Sequence, residues 1–177
     1  MTDANEYGKA LFLITEEDGV SDKILADVRA AERVLRANPD YVKLLDSPAL
    51  SKNERVELVD QAFSGLDERL SNLLKILTEK RAMHLFCKAA KVYYALYDES
   101  RGIIRVEAVT AIPLSEKQAK AIKDKLSRTL IKTVILSNTV DPSILGGVKL
   151  RYSGVQLDGS VRTRLDKFED ALKQTVI

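Results

Sequence analysis

One cysteine and one histidine among 177 residues leave little material for redox, metal or triad chemistry. Cys87 has no partner for an internal disulfide, which fits a reducing compartment. His84 alone forms no histidine pair for a metal and anchors no recognisable Ser-His-Asp arrangement. Long apolar runs are also missing: none approaches the roughly 20 residues that span a bilayer. The Walker pattern and the G-x-G-x-x-G fingerprint are absent, so Gly146-Gly147 is not a phosphate loop. No heptad is sustained, and there is no internal repeat or low-complexity tract. An enzyme is therefore not expected: no catalytic, cofactor-binding or metal-ligating residue is assigned, and no cofactor is called for.

What is present is a globular balance of 45% hydrophobic and 31% charged residues, with a net charge of +2. That small net value conceals an asymmetry. Residues 1–101 carry 15 basic and 18 acidic side chains, whereas residues 102–177 carry 13 and 8. The opening MTDANEYGKALF is acidic where a signal or transit peptide is basic, and predicts a protein that stays in its own compartment.

The first hundred residues read as six amphipathic helices joined by short breaks. Tyr7, Ala10, Leu11 and Ile14 share one face of the first, with Leu13 on a flank and Phe12 nearly opposite, more apolar surface than one core face needs. The second aligns Ile24, Val28, Ala31 and Leu35 and stops at Asn38-Pro39. A short third runs from Tyr41 to Leu45. Ser51 and Glu54 make a capping box for the fourth, whose expected stripe is Val56, Val59, Ala62 and Phe63. The fifth carries Leu66, Leu70, Leu73, Leu74 and Leu77, widened by Ile76. The sixth runs from about His84 to Glu99 with Phe86, Ala89, Ala90, Tyr93 and Tyr97 inward. Helices of this length with short connections predict an antiparallel bundle.

At Gly102 the period changes from helical to alternating. Ile104, Val106, Ala108, Thr110 and Ile112 fall on one face of a strand, with Arg105 and Glu107 on the other. Ser115 and Gln118 cap a helix with Ala119, Ile122 and Leu126 inward. A second strand spans Lys132 to Ser137, followed by an Asp141-Pro142 turn. Ser153-Gly154 suits a hairpin turn between VKLRY and VQL, Asp158-Gly159 redirects the chain, and Ser160 caps a last helix bearing Val161, Leu165, Phe168 and Leu172. The expected fold is α+β: a six-helix bundle over 1–101, then a small α/β domain over 102–177 with a mixed sheet, a β-hairpin and a C-terminal helix.

The residues alone leave two functional readings open. A basic β-α-β-β-α module admits RNA binding, with Lys149 and Arg151 on one strand face, although the G-x-x-G clamp and the aromatic strand signature are missing; Tyr93, Tyr94 and Tyr97 in the helical part could stack bases but fall at the spacing of a bundle core or its rim. Such a protein would bind oligonucleotides salt-sensitively through residues 102–177. Two domains of opposite charge, one with surplus apolar helix surface, suit an adaptor that holds two other things together, and the residues favour that reading.

The run PSILGGVKLRYSGVQLDGSVRTRLDKFEDAL resembles the C-terminal signature of the delta subunit of F-type ATP synthase, the family of the mitochondrial oligomycin-sensitivity-conferring protein. EYGKALF resembles that family's opening helix, RGIIRVEAVTAIPLS its linker strand, and LSNTVDPSILGGVKL its approach to the hairpin, so the likeness covers essentially the whole chain. It implies a non-catalytic stator subunit on the cytoplasmic face of the bacterial inner membrane, peripheral to the membrane complex and not inserted in it, with no nucleic-acid partner. The N-terminal bundle would receive the N-terminal helix of an alpha subunit of the catalytic head between its first and fifth helices, in a groove lined by Tyr7, Leu11, Ile14, Leu73, Ile76 and Lys80. The C-terminal domain would hold the b-type peripheral stalk subunits, with Arg162 and Arg164 as contact candidates. Gly146, Gly147, Asp158, Gly159 and Ser160 are read as folding determinants of the signature. A helix burying ~600 Å² per partner has a gross apolar term above ~10 kcal/mol before association costs, enough for sub-micromolar binding.

Overall fold

The computed structural model describes residues 3–152 and 154–159. The expected last helix, with Ser160, Arg162 and Arg164, and the hairpin residue Ser153 lie outside the described residues. The chain divides into two compact units, Met1–Asp98 and Glu99–Ile177. Among the described residues the fold is mixed α and β, with seven α-helices and one four-stranded sheet. No described helix is long and apolar enough to cross a membrane.

Six α-helices precede the first strand: α1 (Ala4–Glu17), α2 (Ser21–Ala37), α3 (Pro39–Asp46), α4 (Lys52–Ala62), α5 (Glu68–Glu79) and α6 (Phe86–Ser100), the last entered through a 3-10 turn, Met83–Leu85. Local chemistry sets their ends. Asp3 caps α1, Pro39 occupies the first turn of α3, and Ser51 and Glu54 form the expected reciprocal box at α4. The α2 stripe of Ile24, Val28, Ala31 and Leu35 is fully buried, joined in the core by Leu70, Leu74, Leu77, Phe86 and Tyr93. Tyr93 donates to the Ser21 carbonyl and meets Phe12 edge-on at 6.0 Å, so Phe12 packs on the core instead of facing outward.

Three expectations in this unit need correction. The buried side of α4 is Arg55 and Val59 followed by Phe63, while Val56 is half-buried and Ala62 exposed. Arg55 is 3% exposed and tolerated because its guanidinium donates to the carbonyls of Thr78 (2.6 Å) and Leu45 near the ends of neighbouring helices and of Ser51 at the start of its own. On α1 the buried arc is Ala4, Tyr7, Gly8, Leu11 and Thr15, which leaves Ala10 and Ile14 outside. His84 sits in the 3-10 turn, not in the helix. Asp46 fixes that turn by accepting from the backbone N–H of Met83 and His84 and pairing with the His84 ring at 2.7 Å.

The second unit is a sheet in the order β2-β1-β3-β4 with one helix: β1 (Ile103–Thr110), α7 (Glu116–Leu130), β2 (Thr133–Val140), β3 (Val148–Tyr152) and β4 (Val155–Asp158). The β1–α7–β2 crossover makes β1 and β2 parallel, as such a connection requires, and β3 and β4 run antiparallel as a hairpin. Ser115 and Gln118 form the predicted box. Ile104, Val106 and Val134 make the core, with Leu126 and Leu130 of α7 against it. Two expectations shift here. β2 extends to Val140, and Ile112 lies past the end of β1, 74% exposed.

Candidate partner-binding groove

Helices α1 and α5 lie side by side and antiparallel, as two contacts fix. At one end Arg69 Nε meets Asp18 Oδ2 at 2.5 Å; at the other the Lys80 ammonium stands 5.7 Å from the centre of the Tyr7 ring. Each step forward along α1 is matched by one back along α5. Leu11 therefore lies at the level of Ile76, and Ile14 at the level of Leu73. The six residues that the family resemblance implies thus fall at three matched levels of the two helices, Tyr7 with Lys80, Leu11 with Ile76, and Ile14 with Leu73. Between Tyr7 and Asp18 the helix rises about 16 Å, four turns of a docking helix being about 22 Å.

These levels are not uniformly open. Tyr7, Leu11 and Leu73 belong to the core and form the floor, whereas Ile14 and Ile76 are 49% and 43% exposed, on opposite sides of it. Leu13 extends the apolar strip on the α1 side at 64% exposure. Sequence reading placed it on a flank and did not assign it to the groove; its signal was the unbroken run Leu11-Phe12-Leu13-Ile14, which no single helix face can bury.

Gly8 was also missed, though it sets where α1 sits. A Cβ at this position would stand 2.4 Å from the Ala89 carbonyl oxygen and 2.7 Å from Val92 Cβ, so α1 and α6 approach as closely as their backbones allow. The α5 start is fixed electrostatically. Asp67 caps it, its own N–H donating to Asp27, and its carboxylate accepts from the Arg69 backbone and guanidinium and from Lys23. Burial pushes the Asp67 carboxyl up, but these bonds outweigh it and hold the group below the usual carboxylate range.

In the second unit the described signature residues stand at the start of β3 and the end of β4. Gly147 has φ +87°, a left-handed conformation that favours glycine, at the entry to β3. Asp158 faces Lys149 across the hairpin at 3.6 Å, and the Gly159 N–H donates to the Val148 carbonyl. Beside them is an apolar cleft of 650 Å³, walled by Ile112, Pro113, Ile122, Leu145 and Val148.

The features that admitted RNA binding are otherwise engaged. Lys149 is paired with Asp158, and Arg151 with Glu107 at 3.8 Å and with Gln156. Tyr93 is buried, and Tyr94 and Tyr97 pack half-buried against the helical core, the Tyr94 ring lying under Arg29 and edge-on to Tyr93. Burial and the Glu32 carboxylate both push the Tyr94 hydroxyl pKa upward.

Comparison with known proteins is consistent over the whole length. The family model for the ATP synthase delta (OSCP) subunit matches residues 4–172. The chain is 34% identical over 175 residues to an ATP synthase subunit delta of Clostridioides difficile (strain 630), covering 98% of this chain and 97% of that one. It is 32% identical over 170 residues to the same subunit of Geobacillus sp. (strain WCH70), covering 96% of each. Among solved structures it resembles a chain of the Toxoplasma gondii mitochondrial ATP synthase hexamer, with a TM-score of 0.71 and 26% identity over 97% of this chain and 98% of that one. The chain belongs to the ATP synthase delta (OSCP) subunit family.

Proposed function

We propose that this chain is the clamp between the catalytic head and the peripheral stalk of an F-type ATP synthase. As a member of its family it is a structural, non-catalytic subunit of that complex, peripheral to the membrane part. A rotating central shaft exerts torque on the head, so the head must be held against it, and the useful property of such a clamp is slow dissociation.

In this reading residues 1–101 act as a six-helix bundle that takes the N-terminal helix of an alpha subunit. Residues 102–177 hold the b-type stalk subunits, and the complex lies at the cytoplasmic face of a bacterial inner membrane. The observation that carries the reading is the strip of Leu13, Ile14 and Ile76, exposed above the packed floor of Tyr7, Leu11 and Leu73 in a chain of this family. An amphipathic helix laid along such a groove uses anchors at i, i+3, i+4 and i+7. Calorimetric titration of the full-length chain with a peptide of the cognate alpha N-terminus tests it. Binding in the sub-micromolar range is expected, with Ile76→Asp weakening it at least about 100-fold, because a carboxylate on the rim would be desolvated under the docked helix. A folded wild-type chain that leaves the peptide unbound would refute the assignment.

A further inference from the structure

The Tyr7 hydroxyl is a buried group without a hydrogen-bond partner, although the residue is only 6% exposed. Orphans of this kind are uncommon because each costs desolvation without return. Tyr7 lines a cleft of 610 Å³ at the end of the α1–α5 groove, between the start of α1 and the segment that joins α5 to α6. Lys80, Arg81 and His84 line the same cleft, with Asp3 opposite. Asp3 is engaged with the backbone N–H and side chain of Asn5, and the His84 ring with Asp46. Neither Lys80 nor Arg81 has a carboxylate partner among the described residues; Lys80 only covers the Tyr7 ring. Arg81 is held at φ +52°, a left-handed conformation uncommon for a side chain of this size, and it lines the cleft in that conformation.

We infer that this cleft is a carboxylate subsite. It takes an acidic side chain of the helical peptide that occupies the groove, with Tyr7 donating its hydroxyl and Lys80 and Arg81 supplying the positive charge. The inference rests on the groove reading above and adds the chemistry of one anchor. Two unpaired cations beside a hydrogen-bond donor with no acceptor complement a carboxylate, and the shared Tyr7–Lys80 pair makes the cleft continuous with the apolar strip. When the carboxylate draws the Lys80 ammonium off the ring face, the hydroxyl gains its acceptor.

The test uses the full-length chain, the alpha N-terminal peptide, and the same peptide with its acidic residues replaced by their amides. Tyr7→Phe removes the orphan, so the free protein's thermal midpoint does not fall, yet affinity for the acidic peptide drops about tenfold, as expected for a bond to a charged group. Arg81→Gln weakens the same peptide and flattens its salt dependence. The amide peptide binds wild type about tenfold more weakly and is indifferent to both substitutions. Equal affinity of wild type and Tyr7→Phe for the acidic peptide, or full-strength binding of the amide peptide, overturns the carboxylate subsite while leaving the groove intact. Failure of both peptides to bind folded wild type overturns the groove itself, and the subsite with it.

Discussion

Replacing Gly8 by alanine sets helix propensity against packing, and the distances decide which wins. In an isolated helix the change is favourable by about 1 kcal/mol. Here the new methyl would sit 2.4 Å from the Ala89 carbonyl oxygen and 2.7 Å from Val92 Cβ, where carbon contacts prefer about 3.5–4.0 Å. The oxygen belongs to the backbone of α6 and has no rotamer by which to retreat, so α1 must withdraw by about 1 Å over its length. Overpacking costs about 1–3 kcal/mol, and a clash with a backbone oxygen belongs in the upper half of that range, leaving a net loss of about 1–2 kcal/mol after the propensity gain. For a unit of about 100 residues that lowers the midpoint by roughly 5–15 °C. Thermal unfolding followed by circular dichroism measures it, with Gly65→Ala as the control. No atom lies within 4 Å of a Cβ built on Gly65, so that variant should melt with wild type or slightly above it. Because α1 forms one wall of the groove, Gly8→Ala should also weaken the alpha peptide. A Gly8→Ala protein as stable as wild type would refute the claim that α1 and α6 are in closest approach.

Other consequences can be checked in the same assays. Arg55→Met keeps the volume but strips the Leu45 carbonyl of its guanidinium donor and leaves the Thr78 carbonyl only its bond from the Arg81 N–H, and should cost about 1–3 kcal/mol in urea unfolding. Ser115→Ala removes the oxygen that accepts the Gln118 N–H at the start of α7 and should destabilise the second unit by ~1 kcal/mol. The depressed Asp67 carboxyl contributes stability that is full above its unfolded pKa, about 3.9, and is lost as pH falls through its lower folded value. Asp67→Asn should therefore lose less stability than wild type on acidification below about pH 4; parallel acid limbs would show that the Lys23 and Arg69 contacts contribute nothing.

Helix two was readable because its apolar positions are strong, regularly spaced and all inward: Ile24, Val28, Ala31 and Leu35 needed only the 3.6 period. Both capping boxes were readable for a similar reason, since each is closed within four residues. Helix four was not. Its buried side carries Arg55, and a charge satisfied by distant carbonyls leaves no mark on local hydropathy, so Val56 and Ala62 took its place in the reading. Ile112 failed because alternation continued in sequence past Thr110, where pairing with β2 and β3 stops. Of the groove, the surplus of apolar surface on α1 was legible, but which residues were floor and which rim was not. That depends on the rotation of α1 about its axis, set by the approach of Gly8 to Ala89 and by Thr15 and Phe12 meeting Tyr93.

The account's central claim is mechanical, and coupling tests it most directly. ATP hydrolysis and ATP-driven ion pumping should be measured together on membranes carrying the complete complex, with wild-type chain and with Ile76→Asp. A clamp that fails at the head leaves the catalytic sites intact, so hydrolysis should persist while pumping falls with the loss of alpha binding. Pumping at wild-type strength from a complex whose chain no longer holds the alpha N-terminus would contradict the account.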